Sequence, residues 1–459
     1  MPAPFLRIPP FPRARAGALC VAFDGPGLDD VACDALAGAL VAARVGGAFW
    51  HPAGDPWVSG AGPVAALRAG GAEARAAVRE MTAGWRARDP FTGAAMGWIE
   101  AVALLAGWRA QIEANLVVDA VFGIAGWKRE TMDAMLWDGT GPVRYARPGA
   151  RVRAGGQALV WAARAPAGLM ARLAADGVRV GEIEDGFVRS AGLGANCVAP
   201  LSVICDLVGA HIDPSRPSTL ETILATGAVP ADALARAEGL RAALVAGGVG
   251  KYGAGGVAAA PARGDRRVVL VCGQVEDDRA VLLGGAGMTN RSLLAAARAM
   301  EPDAEIVWRP HPDVEAGHRK GAIPAEEVAR LADRVERSAP ITALFAEADV
   351  VHVISSLAGF EALLRGVSVV THGVPFYAGW GLTRDMAPIP ARRGRVVSLD
   401  ELVAAALIVA PRYLDPVTRL PCGPEVVVAR LAAGQAGMVT PLVRVRAAWG
   451  AFRKRVWKV

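Results

Sequence analysis

AEADVVHVISSLAGFEALLRGVSVV, residues 346–370, is the stretch that decides the fold class. A β-branched run from Val350 to Ile354 meets Ser355 and Ser356, a helical stretch follows over 357–365, and a second apolar run, Val367 to Thr371, begins just after Gly366. Strand, helix and strand in so short a space predict parallel strands with a helix crossing between them. The same style extends outward. Strand-like runs are read at Ala18 to Phe23, Val117 to Phe122, Ala158 to Trp161, Val178 to Ile183, Arg267 to Cys272 and Glu305 to Trp308, with helices near 290–300, 340–347 and 399–408. A further helix near 95–115 places Trp98, Val102, Leu105, Trp108 and Ile112 at three- and four-residue spacings, a core-facing stripe. The Gly/Ala-rich, weakly periodic segment 247–267 reads as a linker. The expected fold class is therefore α/β, with two Rossmann-like domains: residues 1–262, 263–425, and a helix and tail over 426–459.

Composition narrows the function classes. The chain has 459 residues, 53% of them hydrophobic and 20% charged, with a mean hydropathy of +0.31, which fits several packed cores and excludes a disordered chain. No run reaches the roughly 18–20 apolar residues of a spanning helix. Pro2, Pro4, Pro9, Pro10 and Pro12 interrupt any secretion leader, so a cytoplasmic location is expected. The six cysteines (20, 33, 197, 205, 272, 422) show no paired spacing and read as reduced core residues. A formal charge of +6 and a pI of about 9.2 favour anionic partners. The last twenty residues, TPLVRVRAAWGAFRKRVWKV, interleave basic side chains with Trp449, Phe452 and Trp457. They suit an anionic membrane surface, or else a solvated tail. No nucleic-acid-binding motif is present, and nucleic acid is not an expected partner.

Three constellations bear chemistry. In Glu184-Asp185-Gly186-Phe187-Val188-Arg189, a strand-like run ends in two acids, where ligands gather in parallel sheets. Asp185 can act there as a base or as a nucleophile on an anomeric carbon, with Glu184 or Arg189 tuning its charge. The structural alternative is a turn with Gly186 at positive φ. In Trp308-Arg309-Pro310-His311-Pro312-Asp313, two prolines hold His311 in an extended loop past a strand, which suits a phosphate contact with Arg309 as a permanent cation. A metal site of His311, Asp313 and His318 fits no standard spacing, and a structural His-Pro turn is the other alternative. In the opening stretch, Ser355 and Ser356 precede a helix and can cap it or meet a phosphate, and Glu361, a turn in, can reach a ribose diol. No D-x-D triplet and no P-loop is present, so no metal and no cofactor is expected. A monophosphate-linked sugar donor fits better.

The order acid-acid-Gly, His-Pro, Ser-Ser resembles GT-B glycosyltransferases that use CMP-activated acidic sugars. The blocks EDGFVRSAGLGA (184–195), APLSVICDLVGAHIDPSRPSTLE (199–221), VCGQVEDD (271–278), RPHPDVEAGHRKG (309–321), SSLAGFEALLRG (355–366), GVPFYAGWGLTRD (373–385) and RYLDP (412–416) resemble the KpsC-like capsule-polysaccharide β-Kdo transferases over roughly residues 115–425. The resemblance implies a GT-B fold, two Rossmann-like domains facing across a cleft, that transfers Kdo from CMP-β-Kdo with retention to a lysophospholipid-linked Kdo acceptor. It implies work at the inner face of the cytoplasmic membrane, beside other capsule assembly proteins. Asp185 becomes the nucleophile with Glu184 beside it. Arg309, His311, Pro312, Ser355, Ser356, Leu357, Gly359 and Glu361 become donor contacts, and Gln274 and Asp278 line the donor pocket. Arg189, Asn290, Tyr377 and Trp380 are further candidates. Family members often carry two tandem modules, whereas this chain has one copy of each motif, and residues 1–115 match none. Rival readings are another CMP-sugar transferase, sialyltransferase-like, and a non-catalytic capsule assembly or export scaffold.

Overall fold

The computed structural model describes residues 4–192, 197–251, 253–254 and 265–435. The basic aromatic tail and much of the expected linker lie outside the described residues. By its contacts the chain divides into two compact units, one of Met1–Ala158, Pro166–Arg179 and Tyr413–Cys422, the other of Leu159–Ala165, Val180–Arg412 and Gly423–Val459. Both are mixed α/β.

The first unit is largely helical around one apolar core. Its helix Trp98–Asn115 buries Val102, Leu105, Trp108 and Ile112, the stripe expected from their spacing. Phe11 meets the rings of Trp108 and Trp137 edge-on at 5.5 and 5.1 Å. The Trp108 indole N–H donates to the Pro421 carbonyl at 2.8 Å, which satisfies the one polar atom this large side chain brings into the core. Short strands Cys20–Ala22 and Trp85–Ala87 pair antiparallel, and Ala120–Phe122 pairs parallel with Tyr145–Ala146.

The second unit holds the elements that build the site. Strands β1 (Arg179–Asp185) and β2 (Ser202–Asp206) pair antiparallel, with Glu184 opposite Ile204 and Asp185 opposite Val203. This corrects the expectation of parallel strands throughout. The described residues of the connection between them form no helix, and parallel neighbours need a crossover that is usually helical. Six further strands form a parallel sheet: β3 (Val268–Cys272), β4 (Glu305–Arg309), β5 (Arg334–Val335), β6 (Val350–Val353), β7 (Ser368–Thr371) and β8 (Arg384–Asp385), in the spatial order β5-β4-β3-β6-β7-β8. Counted within this sheet the order is 3-2-1-4-5-6, that of a Rossmann sheet. The direction of winding reverses between β3 and β6, and a ligand crevice opens beyond the carboxyl ends there.

The strands are near-continuous runs of Val and Ile because both faces are covered. Val269, Val271, Ile306 and Trp308 are at most 4% exposed, and helix α2 (Asn290–Met300) lays Leu293, Leu294 and Ala297 on them. The expected break at residue 262 falls inside this unit. Contacts join the two sides of it: the Lys251 N–H donates to Glu361 at 2.6 Å, and the Arg393 Nε donates to Glu221 at 3.1 Å. The expected helix at 399–408 starts as an α-helix over Leu399–Val403 and widens to π-helical turns over Ala404–Val409.

A histidine pair is buried under the sheet: His352 on β6 and His372 just after β7, with Nδ1 of the first 3.1 Å from Nε2 of the second. Burial depresses both pKa values, that of His352 to about 3. All six cysteines are free, four of them buried, and burial pushes the Cys272 thiol up to about 12. No helix among the described residues is long and apolar enough to cross a membrane.

Candidate active site

A cavity of about 810 Å³ opens at the crevice, lined only by residues of the second unit. Its wall is assembled from the ends of β1, β3, β4 and β6, with additions from 211–212, 250–251, 340–342 and 374–376.

β1 delivers Asp185 to the cavity but not Glu184. Side chains alternate along a strand, so Glu184 shares a face with Glu182 while Asp185 takes the other. Arg279 collects the two glutamates, its Nη1 2.7 Å from Glu184 and its Nη2 2.8 Å from Glu182. The expectation that Glu184 stands beside the nucleophile is corrected by that alternation. Asp185 is paired instead with Arg189, whose Nε lies 2.8 Å from Oδ2. Arg189 is 2% exposed and also donates to the Ser190 hydroxyl at 2.7 Å and the Val198 carbonyl at 3.1 Å, so its fork is fixed in direction. Gly186 is not in the left-handed region. Its constraint is space, since a Cβ there would stand 2.3 Å from the Ser202 hydroxyl.

Gln274, Asp278, Arg309, His311, Pro312, Ser355, Ser356, Leu357 and Glu361 line the same cavity. The Gln274 amide is clamped to Ser355: its Oε1 accepts from the Ser355 N–H at 2.8 Å and its Nε2 donates to the hydroxyl at 3.3 Å. The Ser355 hydroxyl donates to the Ala280 carbonyl at 2.9 Å. Asp278 caps helix α1 (Arg279–Gly284), accepting from the Ala280 N–H at 3.0 Å. Ser356 caps helix α3 (Leu357–Leu363), accepting from the Ala358 N–H at 3.2 Å. Arg309 is steadied by the Glu336 carbonyl at 3.0 Å.

His311 Nδ1 accepts from the Asp313 N–H at 3.2 Å. The proton of the neutral ring then belongs on Nε2, the nitrogen left to donate to a ligand. Burial holds the His311 pKa below its ordinary value against the pull of Asp313 and Asp278. At neutral pH the ring is therefore an uncharged donor, and the charge assistance in a phosphate contact comes from the phosphate.

Glu361 accepts from the Lys251 N–H, and burial raises its pKa. It ties the turn at 250–251 to α3 besides lining the cavity. Four expected residues stand behind the wall rather than on it. Asn290 brackets Gln274 from the rear, accepting from its N–H at 2.8 Å and donating to its carbonyl at 2.7 Å. Trp380, fully buried, donates to the Phe376 carbonyl at 2.9 Å. Tyr377 is fully buried, its hydroxyl donating to the Ser356 carbonyl. Gly359 lets that hydroxyl approach, because a Cβ at 359 would stand 2.3 Å from it. Gly359→Ala is expected to destabilise the fold by roughly 1–3 kcal/mol, the cost of overpacking. Adding Tyr377→Phe should return part of the loss in a thermal melt, and no recovery would place the strain elsewhere.

Residues that sequence reading passed over complete the wall. Lys251 lies in a Gly-rich stretch taken for linker. His211 and Phe376 lie inside motif blocks without drawing attention, and Phe187 stacks on Phe376 with centroids 4.4 Å apart. The His211 pKa falls to about 3, first through burial and then through Lys251 and Arg279. The wall carries the rings of Phe187 and Phe376 together with the cations Arg309, Lys251 and Arg319, which suits a ligand with an anionic group. Among the described residues no group of three or more His, Cys, Asp or Glu side chains is placed to hold a metal ion.

Comparison with known proteins follows the same residues. The description of the capsule polysaccharide biosynthesis protein family matches residues 157–242 and 229–413. The lipopolysaccharide-processing protein LpsZ of Rhizobium meliloti is 45% identical over 238 residues, 50% of this chain and 53% of LpsZ. The capsule polysaccharide modification protein LipA of Neisseria meningitidis is 43% identical over 237 residues, 51% of this chain and 34% of LipA. The chain thus spans about half the length of one curated relative and a third of the other. Two solved structures from Thermosulfurimonas dismutans KpsC are similar. The beta Kdo 2,7 transferase has a TM-score of 0.56 at 29% identity, covering 69% of this chain and 99% of that one. The beta Kdo 2,4 transferase has 0.60 at 31% identity, covering 68% and 98%.

Proposed function

This chain belongs to the capsule polysaccharide biosynthesis family, and from that premise we propose that it is a KpsC-like transferase moving Kdo from CMP-β-Kdo to a Kdo-bearing lysophospholipid acceptor with retention of configuration. The observation that supports this most is one cavity holding a carboxylate, Asp185, together with Arg309, His311 and Ser355, the set needed to attack an anomeric carbon and receive a departing phosphate.

Two displacements follow from that set. The Asp185 carboxylate attacks the anomeric carbon, and its bond to the phosphate oxygen breaks with the electron pair leaving on CMP. Arg309 and the His311 Nε2–H meet the charge that develops on that phosphate, in a crevice where donors already held in place need no reorganisation. The acceptor hydroxyl then attacks the same carbon from the vacated face. Its proton passes to solvent water as the bond from that carbon to the Asp185 oxygen breaks and Asp185 is released as carboxylate, and two inversions restore the starting configuration. Glu361 serves the ribose in this reading, with Leu357 and Pro312 as apolar contacts. The two-lobed GT-B arrangement belongs to the same reading, the sheet β3–β8 being its donor half. So do work at the inner membrane face and partnership with other capsule assembly proteins.

The test is incubation with CMP-Kdo and a Kdo-primed acceptor, with mass spectrometry of the product and NMR of the new linkage; no product, or an α-linked one, defeats the proposal. His311→Ala is expected to weaken donor use by about 1.5–3 kcal/mol, the scale of a hydrogen bond to a charged group. Unchanged kcat/KM for CMP-Kdo would remove His311 from the phosphate.

A further inference from the structure

Beneath the cavity runs a chain of alternating charges: Asp213, Arg216, Glu182, Arg279 and Glu184. Arg216 Nε lies 3.3 Å from Asp213, and its Nη2 contacts the first oxygen of Glu182. The second oxygen of Glu182 and one oxygen of Glu184 lie 2.8 and 2.7 Å from the two ends of the Arg279 fork. None of the five side chains lines the cavity. Each sits on a segment that does. Glu182 and Glu184 are on β1, which carries Asp185. Asp213 and Arg216 are on the loop that presents His211. Arg279 opens α1, whose cap Asp278 faces the cavity, and the carbonyl of the next residue, Ala280, holds the Ser355 hydroxyl at 2.9 Å.

We infer that Arg279 is the positioning residue for Asp185, its guanidinium locking the nucleophile's strand to α1, the segment whose Ala280 carbonyl holds the Ser355 hydroxyl. The inference rests on the reading of Asp185 as nucleophile. Three features carry it. Glu182 is 2% exposed, and a carboxylate so buried is held where its cations are. A planar fork spanning residues two apart on one strand face fixes both slide and tilt of the strand, which one ammonium cannot do. Asp185 is the residue after Glu184, so any slide of β1 moves it directly, and a displacement of about 1 Å costs on the order of 100-fold in rate. Glu184 then acts through Arg279 rather than on the sugar.

Arg279→Gln is expected to lower kcat by about 10- to 100-fold, while the CMP dissociation constant from calorimetry stays within about twofold because the donor-side contacts of Gln274, Ser355 and His311 remain. Arg279→Lys should recover only a minor part. Glu184→Gln should lower kcat in the same direction and keep the shape of the kcat–pH profile, and the double variant should be little worse than Arg279→Gln alone, as for partners in one interaction. A folded Arg279→Gln enzyme with wild-type kcat overturns the inference, as does CMP affinity falling in step with kcat. Loss of one limb of the pH profile in Glu184→Gln would make Glu184 an acid–base group and overturn it too. Should Arg279→Gln fail to fold, Glu184→Gln decides alone, since it keeps both cations on Glu182, and unchanged kcat is then the overturning result. Wild-type protein inert towards CMP-Kdo would instead defeat the underlying reading.

Discussion

Asp185→Asn is expected to abolish Kdo transfer, by at least about 1,000-fold in kcat, while CMP binds with a dissociation constant within about threefold of wild type. The two halves of the result come from separate parts of the wall. Asp185 stands at the end of β1, and the groups assigned to the nucleotide phosphate stand at the ends of β4 and β6. The amide is the informative substitution, because it keeps an oxygen to accept from the Arg189 Nε while removing the nucleophilic carboxylate. Asp185→Ala confounds the measurement by stripping the carboxylate from a cation that is 2% exposed. Its stability cost should stay below the roughly 3–5 kcal/mol of a fully buried pair, since the Asp185 side chain keeps 27% of its exposure. Omitting the acceptor gives the complementary measurement: wild type should accumulate a Kdo adduct on Asp185, visible by mass spectrometry of the digest. Residual transfer in the amide variant near the wild-type rate would end the double-displacement account.

The second large effect is on stability. His352 and His211 titrate near 3 in the folded chain, against about 6.5 in an unfolded one. The unfolded state binds more protons between those values, so stability is undiminished above pH 6.5 and declines as the pH falls below it, by up to about 1.4 kcal/mol per unit for each group. The pair of His352 and His372 behaves as one coupled site. Neutral, one ring donates and the other accepts; with both protonated, two donors would face each other at 3.1 Å. By pH 4.5 the loss from His352 alone should reach about 2.7 kcal/mol on this slope. Denaturant melts at pH 6.5 and 4.5 should therefore show a steeper loss for wild type than for His352→Leu with His372→Leu, which replaces both polar partners together. Equal slopes would mean that the pair is not what titrates.

What could be read in advance, and what could not, follows from how far apart the determining residues lie. Strands β3, β4, β6 and β7 announce themselves because a buried parallel strand must be Val- and Ile-rich along its whole length, and the prolines around His311 constrain its loop locally. Glu184 is next to Asp185 in the chain, yet the two-residue period of a strand turns its side chain to the other face. Arg279 carried no local signal, since its partners Glu182 and Glu184 are 97 and 95 positions away. Tyr377 and Gly359 were noticed as members of matching blocks, but a block mixes groups that touch a ligand with groups that shape the backbone behind it. Only the 2.3 Å approach at Gly359 separates the two.

Every group assigned to the reaction, from Asp185 to Glu361, belongs to the second compact unit, and none to the helical body built from the first 158 residues. In the proposed reading the bond-making residues thus form a self-contained cassette. Such a cassette can be copied in tandem or joined to a different helical body with its reaction intact, so that new products arise by changing what is presented to the machinery while the bond-making residues stay as they are.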